Sequence, residues 1–177
     1  MDAAEPGWRE SIPGANPDLL GHVYAGPYAI RHPDFATIVE DSDGVAGYIL
    51  ATPDSRAFWD WEETHWWPAL RNQYPQRTDD SWNRRIIDLL HAPPQSPAEV
   101  LESFPAHFHI DLLPRVQGQG LGRALIEGLQ GTLREQGIRG LHLDVGKDNQ
   151  NAISFYQHLG FEIAEEAPES YFMTVSL

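Results

Sequence analysis

The sequence predicts an α/β fold, and three stretches carry that prediction. Residues 107–145 read as strand, glycine loop, helix and strand, a βαβ unit. Residues 35–52 read as two β-rich runs joined by a turn, and residues 53–106 between the two units carry caps, prolines and apolar spacing of helical period. At 177 residues the chain is one domain's worth. We divide it into a flexible arm, 1–17, and a single domain, 18–177.

In chain order, the arm holds Pro6, Gly7, Pro13, Gly14 and Pro17 among charges, with only Trp8 and Ile12 to bury. Leu19, Leu20, Val23 and Tyr24 suit one short helix, ended by Gly26-Pro27. Phe35 to Glu40 and Val45 to Thr52 flank Asp41-Ser42-Asp43-Gly44, a hairpin turn sequence, so they should pair antiparallel. In the 53–106 stretch, Asp54 or Ser55 caps a first helix with Trp59, Trp66 and Leu70 on one face, kinked or restarted at Pro68. Asp79 and Asp80 open a second helix bearing Trp82, Ile86, Leu89 and Leu90, which Pro93-Pro94 closes. Ser96-Pro97-Ala98-Glu99 reads as a capping box opening a third. Five of the six tryptophans lie here. A satellite core that fixes the helices to the sheet is the expected use, with an aromatic substrate cage as the alternative.

The βαβ unit carries the chemistry. Phe108, Ile110 and Leu112 alternate with His107, His109 and Asp111 before Pro114 removes a ladder donor. Gly118, Gly120 and Gly122 leave backbone N–H groups uncovered at a helix start, where an anion belongs. Leu121, Leu125, Leu129 and Leu133 form the stripe of that helix, and Gly137 offers a left-handed stop. Leu141, Leu143 and Val145 alternate with His142 and Asp144 in a strand that should run parallel to 107–113. The histidines and aspartates then form a polar patch on the sheet, better explained by buried His–Asp hydrogen bonds than by zinc. No G-x-S-x-G elbow is present for a serine hydrolase. A dinucleotide fingerprint would need glycine at 123 or 125, where Arg123 and Leu125 stand, and the P-loop ending is missing.

Twelve basic and 26 acidic residues give a net charge of −14. That field argues against nucleic acid or an anionic membrane as partner and favours cationic substrates such as amines. With no cysteine, disulfides, thiolate metal sites and cysteine nucleophiles are excluded. No apolar run reaches membrane-span length and no signal segment opens the chain, so a cytoplasmic location is expected.

The pattern Gln117-x-x-Gly120-x-Gly122 resembles the pyrophosphate loop of the GNAT superfamily of acetyl-coenzyme A-dependent acyltransferases. Val145-x-x-x-Asn149-x-x-Ala152-Ile153-x-Phe155-Tyr156-x-x-x-Gly160-Phe161 resembles the family's other signature, at the right distance and in the right order. The two motifs cover residues 107–163, and the family's C-terminal strand pair can be read in 161–177. Asp18-Leu19-Leu20-Gly21-His22, Asp43-Gly44-Val45-Ala46-Gly47-Tyr48 and Phe104-Pro105-Ala106-His107-Phe108 extend the resemblance over 18–177, to the GNAT-like domain that ends animal O-GlcNAcase and to its stand-alone bacterial relatives.

The resemblance implies a mixed, mostly antiparallel sheet with a central parallel pair of strands that splay apart, helices on both faces, and 53–106 as an insertion between the family's third and fourth strands. It implies an N-acetyltransferase that uses acetyl-coenzyme A as cosubstrate, with no metal, by direct attack of an amine on the thioester. Leu112 and Leu113 would pair with the pantetheine arm through their main chains, the Leu112 amide being a candidate oxyanion donor. Gln117, Gly118, Gln119, Gly120, Leu121, Gly122 and Arg123 would cradle the pyrophosphate, with Arg115, Arg123 and the loop amides offsetting the net negative field. Asn149 and Tyr156 would face the pantetheine. Tyr156 is the expected general acid, since a phenol of pKa about 10 keeps a proton for a thiolate of pKa about 8.5. Its spacing from Ile153 and Leu159 suits a core position equally. Asp111 is the first candidate base, with Asp148 and Asp144 behind it, although Asp148 also suits a helix cap.

Two departures count against activity: the family's opening strand and longer helix, which shape the acceptor site, are not visible. The arm replaces them, a second copy of the chain in a homodimer supplies the edge, or the site is incomplete. The alternative is therefore a weak or inactive pseudo-acetyltransferase serving as an acetyl-coenzyme A-binding or protein-interaction module. The acceptor class, a small amine or a protein lysine or N-terminus, is left open.

Overall fold

The computed structural model describes residue 12 and residues 14–177, so the expectation of a flexible arm falls mostly outside the described residues. Where the arm meets the domain it is tied down. Asn83 accepts from the Asn16 amide at 2.7 Å and donates to the Gly14 carbonyl at 2.8 Å. Two short helices follow, α1 (Asp18–Tyr24) and α2 (Gly26–Arg31). α1 stops at Tyr24, ahead of Gly26-Pro27 as expected, and proline at the first turn, which needs no N–H partner, then starts α2.

The hairpin forms as read, β1 (Ala36–Asp41) against β2 (Gly44–Thr52), with a bulge between Val39 and Glu40. The insertion is helical: α3 (Ser55–Trp61), a π-helical turn (Glu62–Trp66), α4 (Trp67–Gln73), α5 (Trp82–His91) and α6 (Ala98–Ser103). Asp54 caps α3, accepting from the Ala57 amide at 3.1 Å, and Pro68 restarts the helix after the π turn. Two cap assignments are corrected. Ser81, not Asp79 or Asp80, caps α5, and Pro97 precedes α6 with no side-chain cap because Ser96 bonds elsewhere.

After β3 (Ala106–Leu112) come a short 3-10 turn (Pro114–Val116), α7 (Leu121–Glu135), β4 (Gly140–Gly146), α8 (Gln150–His158), β5 (Glu162–Glu166) and β6 (Ser170–Ser176). The six strands are ordered β1-β2-β3-β4-β6-β5, with β3 and β4 the parallel pair and every other neighbour antiparallel. On one face Ile126, Leu129 and Leu133 of α7 and Ile153 of α8 pack on Ile49, Phe108, Leu143 and Val145. Ile126, which the four-residue stripe passed over, is fully buried there. On the other face lie α1, α2 and the insertion, in two clusters centred on Leu19 with Trp67 and on Tyr28 with Phe58. The tryptophans thus serve largely as the expected satellite core. Among the described residues no strand precedes β1.

Candidate active site

Register places the site. β2 pairs with β3 from Thr52↔His107 to Gly47↔Leu112, and β4 pairs with β6 along its whole length. Between β3 and β4, however, only Ala106↔Leu141 and His107↔His142 are paired. The two parallel strands therefore part after His107. Backbone groups of an antiparallel strand point alternately to either side. The Leu113 amide donates to the Ala46 carbonyl at 2.8 Å, so Asp111 and Leu113 face β2 while Ile110 and Leu112 turn their N–H and C=O toward the gap.

The glycine loop lies at the open end of that gap. Gly118 (φ 72°) and Gly120 (φ 81°) are both left-handed, and Gly120 is the N-cap of α7. The first helical bond runs from the Ala124 amide to the Gly120 carbonyl at 3.1 Å, so the amides of 121–123 have no partner within the helix. Gly122 sits in tight packing: a Cβ there would stand 3.1 Å from the Phe155 ring. Side chains brace the loop from behind, Gln117 donating to the Leu112 carbonyl at 2.7 Å and Gln119 to the Arg115 carbonyl at 3.0 Å. Arg115 and Arg123 are partly engaged, Arg115 with Asp41 at 2.7 Å and Arg123 with Glu127 at 3.2 Å. Attraction for an anion at this loop falls mainly to the backbone amides and the α7 terminus.

Asn149 caps α8, its oxygen accepting from the Ala152 amide at 3.1 Å, while Asp148 is exposed in the loop before it. Leu113 has its amide bonded to Ala46 and its carbonyl to the Val116 amide at 3.0 Å. Ile110, which sequence reading did not single out, has the strand orientation expected of a ligand-pairing residue. Tyr156 is half-buried against Phe108, Phe155 and Phe161, and loss of solvent, followed by the charge of Asp111, pushes its phenol up to about 12. Tyr48 donates to the Asp111 carboxylate at 2.5 Å.

The polar patch is real, but its partners are not aspartates. Ser55 Oγ donates to the Pro105 carbonyl at 2.6 Å, so it accepts the His107 Nδ1–H at 2.6 Å. His107 Nε2 then accepts from the Tyr28 hydroxyl at 2.6 Å, and the Tyr28 oxygen accepts from His109 Nε2–H at 3.1 Å. His142 donates through Nδ1 to the Phe104 carbonyl at 2.6 Å and accepts from Ser96 at 2.8 Å. All three rings are neutral in this scheme. Burial agrees, holding His107 well below the usual histidine range, His109 down to about 4, and His142 lowered. Because the chain of bonds ends on a carbonyl, it orients His109 and conducts no proton. Among the described residues no group of three or more His, Cys, Asp or Glu is arranged to hold a metal ion.

A family model for the acetyltransferase (GNAT) family matches residues 4–161. The chain belongs to the GNAT family. Rat protein O-GlcNAcase is 28% identical over 156 residues, 85% of this chain but 17% of that protein, so the chain spans about a sixth of the curated relatives it matches there. The [ribosomal protein bS18]-alanine N-acetyltransferase of Escherichia coli strain K12 is 46% identical over 57 residues, 32% of this chain and 38% of that one. The crystal structure of SsHAT superposes with a TM-score of 0.86 at 32% identity, covering 95% of this chain and 84% of that chain. The chain is thus a GNAT-family member with the splayed β3–β4 pair of a mixed, mostly antiparallel sheet, and acetyl-coenzyme A is the donor used in this family.

Proposed function

We propose that the chain transfers the acetyl group of acetyl-coenzyme A to an amine by direct attack on the thioester in the β3–β4 gap. The observation that supports this reading is that unpaired strand edges and a loop of uncovered amides at the α7 terminus occur together, with Tyr156 of α8 packed on Phe108 of the same β3 strand. The loop, Gln117 to Arg123, takes the pyrophosphate. Ile110 and Leu112 pair with the pantetheine amides, and the Leu112 N–H stands where an oxyanion develops. Asn149, whose oxygen is used in the cap, still has its amide NH₂ to offer. Asp111, directly or through water, removes the proton of the amine. The tetrahedral intermediate collapses, the C–S bond breaks, and the Tyr156 hydroxyl protonates the departing thiolate.

An amine screen read by release of free thiol tests the reading. Acceptor-dependent thiol release from acetyl-coenzyme A is expected with at least one amine class, such as small amines or peptides with free lysines or N-termini. Acetyl-coenzyme A binding with no turnover on any of them would move the assignment to a pseudo-acetyltransferase. The helical layer over β3, where Tyr28 of α2 bonds His107 and His109, supports the active reading.

A further inference from the structure

Glu62 is the only acidic side chain buried among the described residues, 4% exposed. It opens the π-helical turn between α3 and α4, and π turns concentrate at functional sites. Among the described residues no ion pair or hydrogen bond is shown to its carboxylate, and its oxygens are not among the fully buried unpaired atoms, so they keep an edge toward solvent. A carboxylate in such a place is costly unless something pairs with it. Its neighbourhood is aromatic: Tyr28 lies 4.4 Å from Phe58, Trp61 is stacked at 6.1 Å from Phe58, and Trp59 is stacked at 5.9 Å from His107 of β3. The charge of Glu62 acts on the Tyr28 phenol, which bonds His107 and His109 on the strand that borders the gap. Arg31 sits over Trp61 at 5.8 Å and forms no ion pair with Glu62. Trp59 also lines an open depression of about 460 Å³ with Arg56, Asp60 and Ser96, so the layer is not sealed from solvent.

We propose that Glu62 and the rings of Tyr28, Trp59 and Trp61 form the acceptor subsite, which holds a primary ammonium group carried on an apolar or aromatic body. Carboxylate and π faces together are what an ammonium ion needs when it leaves water. The assignment rests on the acetyl-transfer reading, since the ammonium that binds is the acceptor's. Burial lifts Glu62 to about 8, so the empty site is mostly neutral near pH 7 and an arriving ammonium ionises it. This explains how a lone carboxyl is tolerated without a resident cation.

Calorimetric titration with benzylamine and with benzyl alcohol, a neutral analogue of similar shape, tests the subsite without requiring turnover. Wild-type protein should prefer the amine by roughly tenfold or more. Glu62→Gln, which keeps the volume, should abolish that preference while leaving acetyl-coenzyme A affinity unchanged and Tm unchanged or higher. Glu63→Gln, which alters a surface pair with Arg71, should keep the preference. Equal wild-type affinity for amine and alcohol overturns the proposal, and this comparison needs no variant to fold. A preference that survives Glu62→Gln overturns it as well, and a lowered Tm with the preference intact makes Glu62 a packing group. Acetyl-coenzyme A titrated in the same series reports the donor site separately, so failure at one site is distinguishable from failure at the other.

Discussion

Tyr156 is held in place by the stop of its own helix. The Phe161 amide donates to the Tyr156 carbonyl and the Gly160 amide to that of Gln157, both at 3.0 Å, and the Phe161 ring packs on Tyr156 at 5.7 Å. Tyr156→Phe keeps that packing and removes the proton, so kcat should fall by roughly 10²–10⁴ while acetyl-coenzyme A affinity changes by only a few-fold. Unchanged turnover would remove the tyrosine from the mechanism. Asp111→Asn should depress the rate most on the plateau above the acid limb of the pH profile, where a carboxylate base is ionised, and should flatten that limb. The buried histidines make a separate prediction about stability. Their folded pKa values lie below the unfolded value near 6.5, so they contribute stability that is present above that pH and is lost as pH falls toward about 4. His109 alone accounts for a loss on the order of 3 kcal/mol, and a Tm flat between pH 7 and 4 would contradict the neutral scheme. Tyr156 and Asp111 were legible because they sit in or next to short motifs. Tyr28, Ser55 and Tyr48 were not: each meets β3 from more than 50 residues away, and no local spacing signals such a partner.

Among the elements, those with strong local chemistry were read correctly and those settled by tertiary contact were not. The α7 stop at Gly137 forms as expected, with the Ile138 amide on the Leu133 carbonyl at 3.0 Å. Ser96 had the spacing of a capping box, but a buried ring nitrogen of His142 claims its hydroxyl, since leaving that nitrogen unpaired costs more than losing an exposed cap. In α3 the period pointed to Trp59, whereas Phe58 is the residue driven fully inside, 1% exposed. Phe58→Ala should cost about 3–5 kcal/mol in chemical denaturation, and Trp59→Ala clearly less. The reverse order would mean that the insertion packs on the sheet differently. At the end of α8, Gly160 has φ 85°, so Gly160→Ala should lower stability by roughly 1–2 kcal/mol. It should also shift Tyr156, visible as a lower kcat at nearly constant donor affinity.

For the molecule as a whole, alternation and glycine placement made the hairpin, the βαβ unit and the parallel pair legible, while two features followed only from three-dimensional register. One is the extent of the gap, set by two paired positions out of seven-residue strands. The other is the closing of the insertion and the N-terminal helices over the polar face of β3, which gives that face its aromatic roof. The net charge of −14 opposes an anionic donor, and the loop arginines share their charge with Asp41 and Glu127. Donor binding must then depend on backbone amides held in one conformation, and Gly120 is the position that holds them. A Cβ at Gly120 would meet nothing within 4 Å, so Gly120→Val acts through its φ of 81° and not through a clash with the protein. Calorimetric titration of acetyl-coenzyme A into wild type and Gly120→Val is the most direct test of the donor site. The account predicts saturable one-site binding to wild type, weakened more than about tenfold in the variant, a loss above about 1.4 kcal/mol. No binding to wild type at millimolar acetyl-coenzyme A, or equal affinity in the two proteins, would contradict it.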